Sequence, residues 1–329
     1  MNKTTVSIFF IIIYLLSAIN PVYCQDNEQI TKYSFSFGTG FGIIWGQAFE
    51  YVYPVPGETK GELLSELIWD MKPVCYASFS ADFGLTDLLS GPGFFSSLSL
   101  KAGIPAYSGV MEDRDWQSIV NSNLTNFSSH ENETNEHVRV DLTAGVSFPM
   151  NFLYIKPFIS GSWMHFIFTG SNGYSQYAKE TPKDSGIYEP IEDAPVISLG
   201  YGKLITYQQD WLILAAGCSI GTNILYPVHF ELSFKLSPHT YCEATDRHIR
   251  RGRIFKDLTS FGLFLEPGCS ISLDVKKIKF SLDASYRYIS RTKGESYYGY
   301  NDKIYGISTN KAGAALSVMD FQFLIKLTL

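Results

Sequence analysis

The chain has 329 residues, 45% hydrophobic and only 18% charged, with aromatics at 15% carried by 21 Tyr and 24 Phe. Soluble domains carry about 25% charged residues, so this much aromatic surface over so little charge argues against an ordinary soluble enzyme. The net charge is −6 and no basic block occurs, which argues against a nucleic-acid partner.

The first element is not part of a fold. Lys3 is followed by the apolar run Val6–Leu16 and then Ser17-Ala18. A basic start, an apolar run of about 11 residues and a small-residue exit describe a secretory signal peptide. The run is too short to cross a bilayer comfortably as a helix. Cleavage fits after Ala18 or after Cys24, so 1–24 is read as the signal and 25–329 as one mature domain. A lipoprotein signal using Cys24 is the alternative, with bulky Tyr23 standing where such sites want a small residue. The remaining cysteines, Cys75, Cys218, Cys242 and Cys269, are widely spaced without a CxxC pair. That spacing argues against a zinc site and suits isolated wall residues, although an exported compartment permits disulfides.

Beyond the signal the pattern is alternation. From Tyr33 the odd positions read Tyr33, Phe35, Phe37, Thr39, Phe41, Ile43 and Trp45, while the even ones are Ser or Gly from Ser34 to Gly42. The same period of two runs through His137–Phe148, Lys279–Tyr288 and Met319–Leu329. Period two means strands with one apolar and one polar face. Here the apolar face is aromatic, the polar face carries Gly, Ser and charge, and the strands are long. Tyr33 to Tyr53 has no break, which at ~3.3 Å per residue is roughly 70 Å of chain. The lipid-facing band of an outer-membrane barrel is only about 25 Å tall, so such a wall stands well above the membrane.

Ten strands are expected, at about 31–53, 61–81, 94–112, 136–149, 152–170, 195–220, 224–242, 254–273, 278–297 and 311–329. Short turns join them at one end, at Asp82–Asp87, Pro149–Asn151, Gly221–Asn223 and Asp274–Lys277. Longer polar loops, 113–135, 171–194 and 243–253, join them at the other. An even number of strands with short turns alternating with long loops is the pattern of a ten-stranded antiparallel transmembrane β-barrel.

Two acid-bearing spots lie at the long-loop end. Asp113 and Asp115, in Met111-Glu-Asp-Arg-Asp-Trp116, are two apart and share a face of an extended chain. Counting along the third strand with Leu98, Leu100, Ala102 and Ile104 facing outward puts both on the lumen side. Paired carboxylates resist ionising together, so such a pair can hold a proton at neutral pH. Asp246 and His248, in Thr245-Asp-Arg-His-Ile249, are also two apart. A carboxylate beside an imidazole fixes its tautomer and raises its basicity, which suits a general base. Taken singly, each also fits a solvated surface group.

Together they resemble the omptin family of outer-membrane proteases. Gly46-Gln-Ala-Phe-Glu-Tyr-Val-Tyr53 resembles the end of that family's first strand, and Ser65-Glu-Leu-Ile-Trp69 its S-x-L-x-W segment. Asp113-Arg-Asp-Trp116 matches its D-x-D-W motif and Asp246-Arg-His248 its D-x-H motif. Ile205-Thr-Tyr-Gln-Gln209 and Asn310-Lys-Ala-Gly-Ala314 resemble its sixth and last strands. The resemblance implies an endopeptidase with no covalent nucleophile, no metal and no cofactor. It makes His248 the general base oriented by Asp246, has Asp113 hold the water, and has Asp115 position the carbonyl and stabilise the intermediate. It further implies that Glu50 receives an Arg or Lys side chain of a polypeptide substrate, that the barrel sits in outer-membrane lipid, and that the site faces outward.

The chain departs from the family in three places. The second pocket acid falls on Ala244. An acid of the following pocket falls near Asn126 or Phe127, which weakens the case for a basic pair at the cleavage point. The lipopolysaccharide-contacting stretch aligns with Ser162-Trp-Met-His-Phe166, which lacks both its acid and its base, so the resemblance does not extend to activation by lipopolysaccharide. Two other readings stay open: a barrel of the same ancestry that binds host proteins without cutting them, and a porin. Against the porin, ten strands make a narrow lumen that Arg139, Asp141, Lys279, Asp283 and Arg287 would largely fill.

Overall fold

Strands with one greasy and one polar face need two environments, and a sheet closed on itself provides both. The computed structural model describes residues 31–87 and 92–329; the expected signal peptide lies outside them. The strands are β1 (Thr31–Tyr53), β2 (Ser65–Asp87), β3 (Gly93–Gly103), β4 (Ala106–Asp115), β5 (Asn126–Met150), β6 (Leu153–Tyr177), β7 (Val196–Ser198) and β8 (Lys203–Leu225). They continue with β9 (Val228–Ser237), β10 (Thr240–His248), β11 (Arg253–Ser260), β12 (Phe264–Val275), β13 (Ile278–Ile289), β14 (Lys293–Tyr300) and β15 (Lys303–Thr328).

All ladders are antiparallel, and β15 pairs with β1, closing the ring. Four staves consist of two strands in line: β3 with β4, β9 with β10, β12 with β11, and β13 with β14. With β1, β2, β5, β6, β8 and β15 they make the ten staves that the sequence suggested. The short β7 lies outside the ring, on β6.

Several boundaries differ from the sequence reading, mostly at the upper end. The expected loop 113–135 shrinks to 116–125, because β5 starts at Asn126 and pairs with β4 as far as Asp115. The expected loop 171–194 shifts to 178–202, since β6 runs on to Tyr177. The expected loop 243–253 is a hairpin of β10 and β11 turned over residues 249–252. The last stave starts at Lys303 rather than near 311. The cause is physical: above the lipid both faces of a strand are wet, so apolar contrast fades while the ladder continues. At the lower end β2 runs through the expected turn to Asp87, and the expected turn at Gly221–Asn223 falls at Tyr226-Pro227.

Phe35, Phe41 and Trp45 of β1, Leu212 and Leu214 of β8, Leu232 of β9 and Phe321 of β15 all face outward and exposed, forming an apolar belt around the lower barrel. Inside that belt is a cavity of about 770 Å³ lined by serines and charges, among them Lys279 and Asp283. The lumen is therefore not filled by its charges, contrary to the sequence expectation. Arg139, Asp141, Glu266 and Arg287 instead brace opposite walls, with Arg139–Glu266 at 3.0 Å and Arg287–Glu266 at 2.7 Å. What closes the lumen is an apolar plug above the belt: Trp69 stacks on Phe168 at 5.6 Å and on Tyr207 at 5.5 Å, with Met164, Phe166 and Trp211 buried around them.

Several staves change which parity faces inward, and two of these switches, on β2 and on β9–β10, set up the site. On β2 the buried set is Leu67, Trp69 and Met71 above, but Val74, Tyr76 and Ser78 below. The switch occurs at Lys72-Pro73, opposite a register shift on β1 between Ile44 and Gly46. On the β9–β10 stave Leu232 and Leu236 face out while Thr240, Cys242, Ala244 and Asp246 face in. Leu236 pairs with Ala216 and Thr240 with Ile213, so four steps on one side match three on the other. The extra residue lies around Pro238, where a missing N–H makes a ladder bond impossible and a bulge costs little. Ser237 caps the break, its hydroxyl accepting from the His239 N–H at 3.3 Å and donating to the His239 carbonyl at 2.7 Å.

Candidate active site

The parity switch at Pro238 decides the fate of the D-x-H motif. It turns Asp246 inward, 2% exposed, on the last inward step of β10. His248 ends the strand, and its Nε2 lies 2.8 Å from Asp246 Oδ2. The chain then turns through Ile249–Arg251 and Gly252, whose φ of +61° suits glycine, and returns as β11. Phe255 packs edge-on against the imidazole at 5.8 Å. Burial disfavours the imidazolium, but the Asp246 carboxylate outweighs it, and the His248 pKa stands above its ordinary value. These groups lie above the apolar belt.

Asp113 and Asp115 face the same groove from β4. Asp113 pairs with Leu67 of β2, and Leu67 pairs on its other side with Glu50 of β1, so Glu50, Leu67 and Asp113 form one row across three staves. The Ser65 hydroxyl donates to Asp113 Oδ1 at 3.3 Å. Asn126 Nδ2 donates to Asp115 at 3.2 Å and Gln117 Nε2 at 3.5 Å, and the Tyr188 hydroxyl from the upper loop donates to Gln117. Burial, then the charge of Asp115, pushes the Asp113 pKa up to about 8, against the pull of His248 and Ser65. Burial raises Asp115 as well, opposed by hydrogen bonds from Ser65 and Asn126. The two therefore hold a proton between them near neutral pH. His248 and the two aspartates each feel the other's charge, so the dyad and the pair share one groove. The Arg251 guanidinium, on the turn after His248, lies within electrostatic reach of Tyr177, Asp115 and His248.

Glu50 sits deeper, 3% exposed, with Oε2 lacking a hydrogen-bond partner. Burial first, then Asp246, Asp257 and Asp113, raises its pKa well above the ordinary carboxylate range. Asp257 is the residue that reading the sequence missed. It lies on β11 directly across from Ala244, is 3% exposed, and leaves its Oδ1 unpartnered. Burial, with Asp246 adding and the Ser296 hydroxyl opposing, pushes it up to about 7. Within Arg-Ile-Phe-Lys-Asp-Leu it looks like any strand charge, and only the register brings it to position 244. All four described cysteines are free, with Cys242 buried beneath Ala244.

A closed ten-stave barrel with an apolar belt, carrying an imidazole–carboxylate pair and further acids toward one end, has the form of an outer-membrane β-barrel. The Omptin family profile matches residues 31–326. The plasminogen activator of Yersinia pestis is 24% identical over 338 residues, covering 99% of this chain and 97% of that protein. The crystal structure of the outer membrane protease OmpT from Escherichia coli superposes with a TM-score of 0.75 at 14% identity, covering 93% of this chain and 99% of that one. The chain belongs to the omptin family.

Proposed function

We propose that the protein is an endopeptidase of the outer membrane that cuts polypeptides next to Arg or Lys, using water activated between the Asp246–His248 dyad and the Asp113–Asp115 pair. The 2.8 Å contact of His248 with a buried Asp246, facing two acids that share a proton, carries this reading. His248 takes a proton from water, and Asp246 stabilises the imidazolium that forms. The hydroxide adds to the scissile carbonyl. The proton held by Asp113 and Asp115 meets the oxyanion, and stabilising charge where it develops is commonly the largest single contribution to rate. The imidazolium then protonates the leaving amine as the C–N bond breaks. Water is the nucleophile throughout, so no acyl-enzyme forms and no cofactor is required.

Glu50 supports a basic side chain before the scissile bond, since a buried carboxylate with an unpartnered oxygen is expensive until a cation arrives. The positive charge of Arg251 is felt at Asp115, which supports a weak demand for a second basic residue. On the outer wall His165 is engaged by Asp210 at 2.8 Å, so that stretch offers no free base to a lipid phosphate, and we expect cleavage without lipopolysaccharide. The site faces the exterior in this reading. Incubating the refolded protein with a peptide library and mapping cuts by mass spectrometry tests the reading: cuts should cluster next to Arg and Lys, and a binder of the same fold would leave the library intact.

A further inference from the structure

We propose that Asp257 is the second acid of the basic-residue pocket, supplied across the β10–β11 ladder to a place that position 244 leaves empty, and that Glu50 and Asp257 together select Arg over Lys. This rests on the endopeptidase reading and adds a residue and a preference to it.

Ala244 and Asp257 are direct cross-strand partners, and partners in a ladder present their side chains side by side on one face. Both are buried on the inward face, at 2% and 3% exposure. Alanine at 244 ends at Cβ and brings no acid; its other ladder partner is the buried Gln209, whose Nε2 donates to the Phe49 carbonyl of β1. Glu50 approaches from β1, on the far side of β14 and β15, and the charge of Asp257 is felt at Glu50. The inward residues at this level on β14 and β15 are small: Ser296, Ala312 and Ala314. Tyr207, buried and stacked on Trp69, belongs to the plug.

Glu50 Oε2 and Asp257 Oδ1 are both buried without a hydrogen-bond partner. Native proteins leave very few such atoms, because each forfeits its hydration for nothing. Two orphaned carboxylate oxygens on the inward faces of β1 and β11, with only small side chains on β14 and β15 between them, are what a buried cation would satisfy. A guanidinium is planar, offers five N–H donors in a fixed fork and can engage carboxylates on two sides at once. An ammonium is a compact and strongly hydrated charge, and serves two separated acids less well.

The test uses refolded full-length protein and peptides that differ only in the residue before the bond: Arg, Lys or Ala. Wild type should favour Arg over Lys. Asp257→Asn should lose about tenfold or more in kcat/KM on the Arg peptide, mostly through KM, with the Ala peptide changing far less. In the Asp257→Ala background, Ala244→Asp restores an acid to the same recess and should recover most of the loss. Heat-modifiable barrel migration confirms folding of each variant. Equal loss on all three peptides, or no rescue by Ala244→Asp in a folded protein, would overturn the assignment. Calorimetric binding of N-acetyl-arginine amide separates this proposal from the protease reading. Weaker binding to Asp257→Asn supports the pocket even if wild type cuts nothing, and equal binding by both proteins refutes it.

Discussion

Replacing Asp257 by Asn should stabilise the barrel at alkaline pH and leave it nearly unchanged in acid. The ordinary aspartate pKa of 3.8 rises to about 7 in the folded protein, chiefly through burial. A folded-state pKa above the unfolded one means the native protein holds the proton more tightly. Between about pH 4 and pH 7 it therefore binds more protons than the unfolded chain, and stability falls as pH rises through that window. Each pKa unit is worth about 1.36 kcal/mol, so a shift of roughly three units costs the native state on the order of 4 kcal/mol at pH 8 and almost nothing at pH 4. Asn is isosteric, cannot ionise and can still accept from Ser296. Urea unfolding in detergent micelles, followed by tryptophan fluorescence, should show Asp257→Asn more stable than wild type at pH 8 by an amount of that order and within about 1 kcal/mol of it at pH 4. Equal differences at the two pH values, or a less stable variant at pH 8, would show that the Asp257 charge is already satisfied without substrate.

Glu50→Gln should cut turnover of Arg and Lys peptides far more than of neutral ones, since losing the buried partner of a charge costs roughly 2–5 kcal/mol; steady-state kinetics on matched peptides reads this directly. Cleavage should decline on acidification with an apparent pKa above 6.5, because the free base of His248 is required and Asp246 holds its proton on. Asp246→Asn should move that limb downward and slow the reaction, since burial then acts unopposed. Rate should also fall above about pH 8 as the proton shared by Asp113 and Asp115 is lost; Ser65→Ala, which removes a hydrogen bond favouring the Asp113 carboxylate, should shift that limb upward in a pH–rate profile. Protein refolded in plain detergent should cleave as well as protein supplied with lipopolysaccharide.

The closed barrel was legible wherever lipid enforces contrast between faces, as from Tyr33 to Trp45 and from Met319 to Leu327. Strand ends above the belt were not, because Glu131 and Glu133 of β5, or Glu243 and Arg247 of β10, are polar on a face that meets water instead of lipid. Inward placement of Asp113 and Asp115 followed from counting along β3, but two irregularities, the break at Pro105 and the bulge between Tyr107 and Gly109, cancel in that count. For Asp246, alternation from Leu232 and Leu236 alone would put the side chain outside, and the extra residue around Pro238, which cannot join a ladder, turns it inward. Asp257 was beyond the sequence altogether: its meaning depends on being paired with Ala244, and pairing between staves is a matter of register.

The dyad is tested most directly by wild type and His248→Ala side by side on a peptide with a single Arg in an otherwise neutral sequence, both proteins showing the folded barrel's migration. A general base typically contributes about 10²–10⁴ in rate. Wild type should cut next to that Arg, and His248→Ala should be slower by at least that factor. Cleavage by His248→Ala at near the wild-type rate, or an intact peptide with folded wild type, would contradict the account.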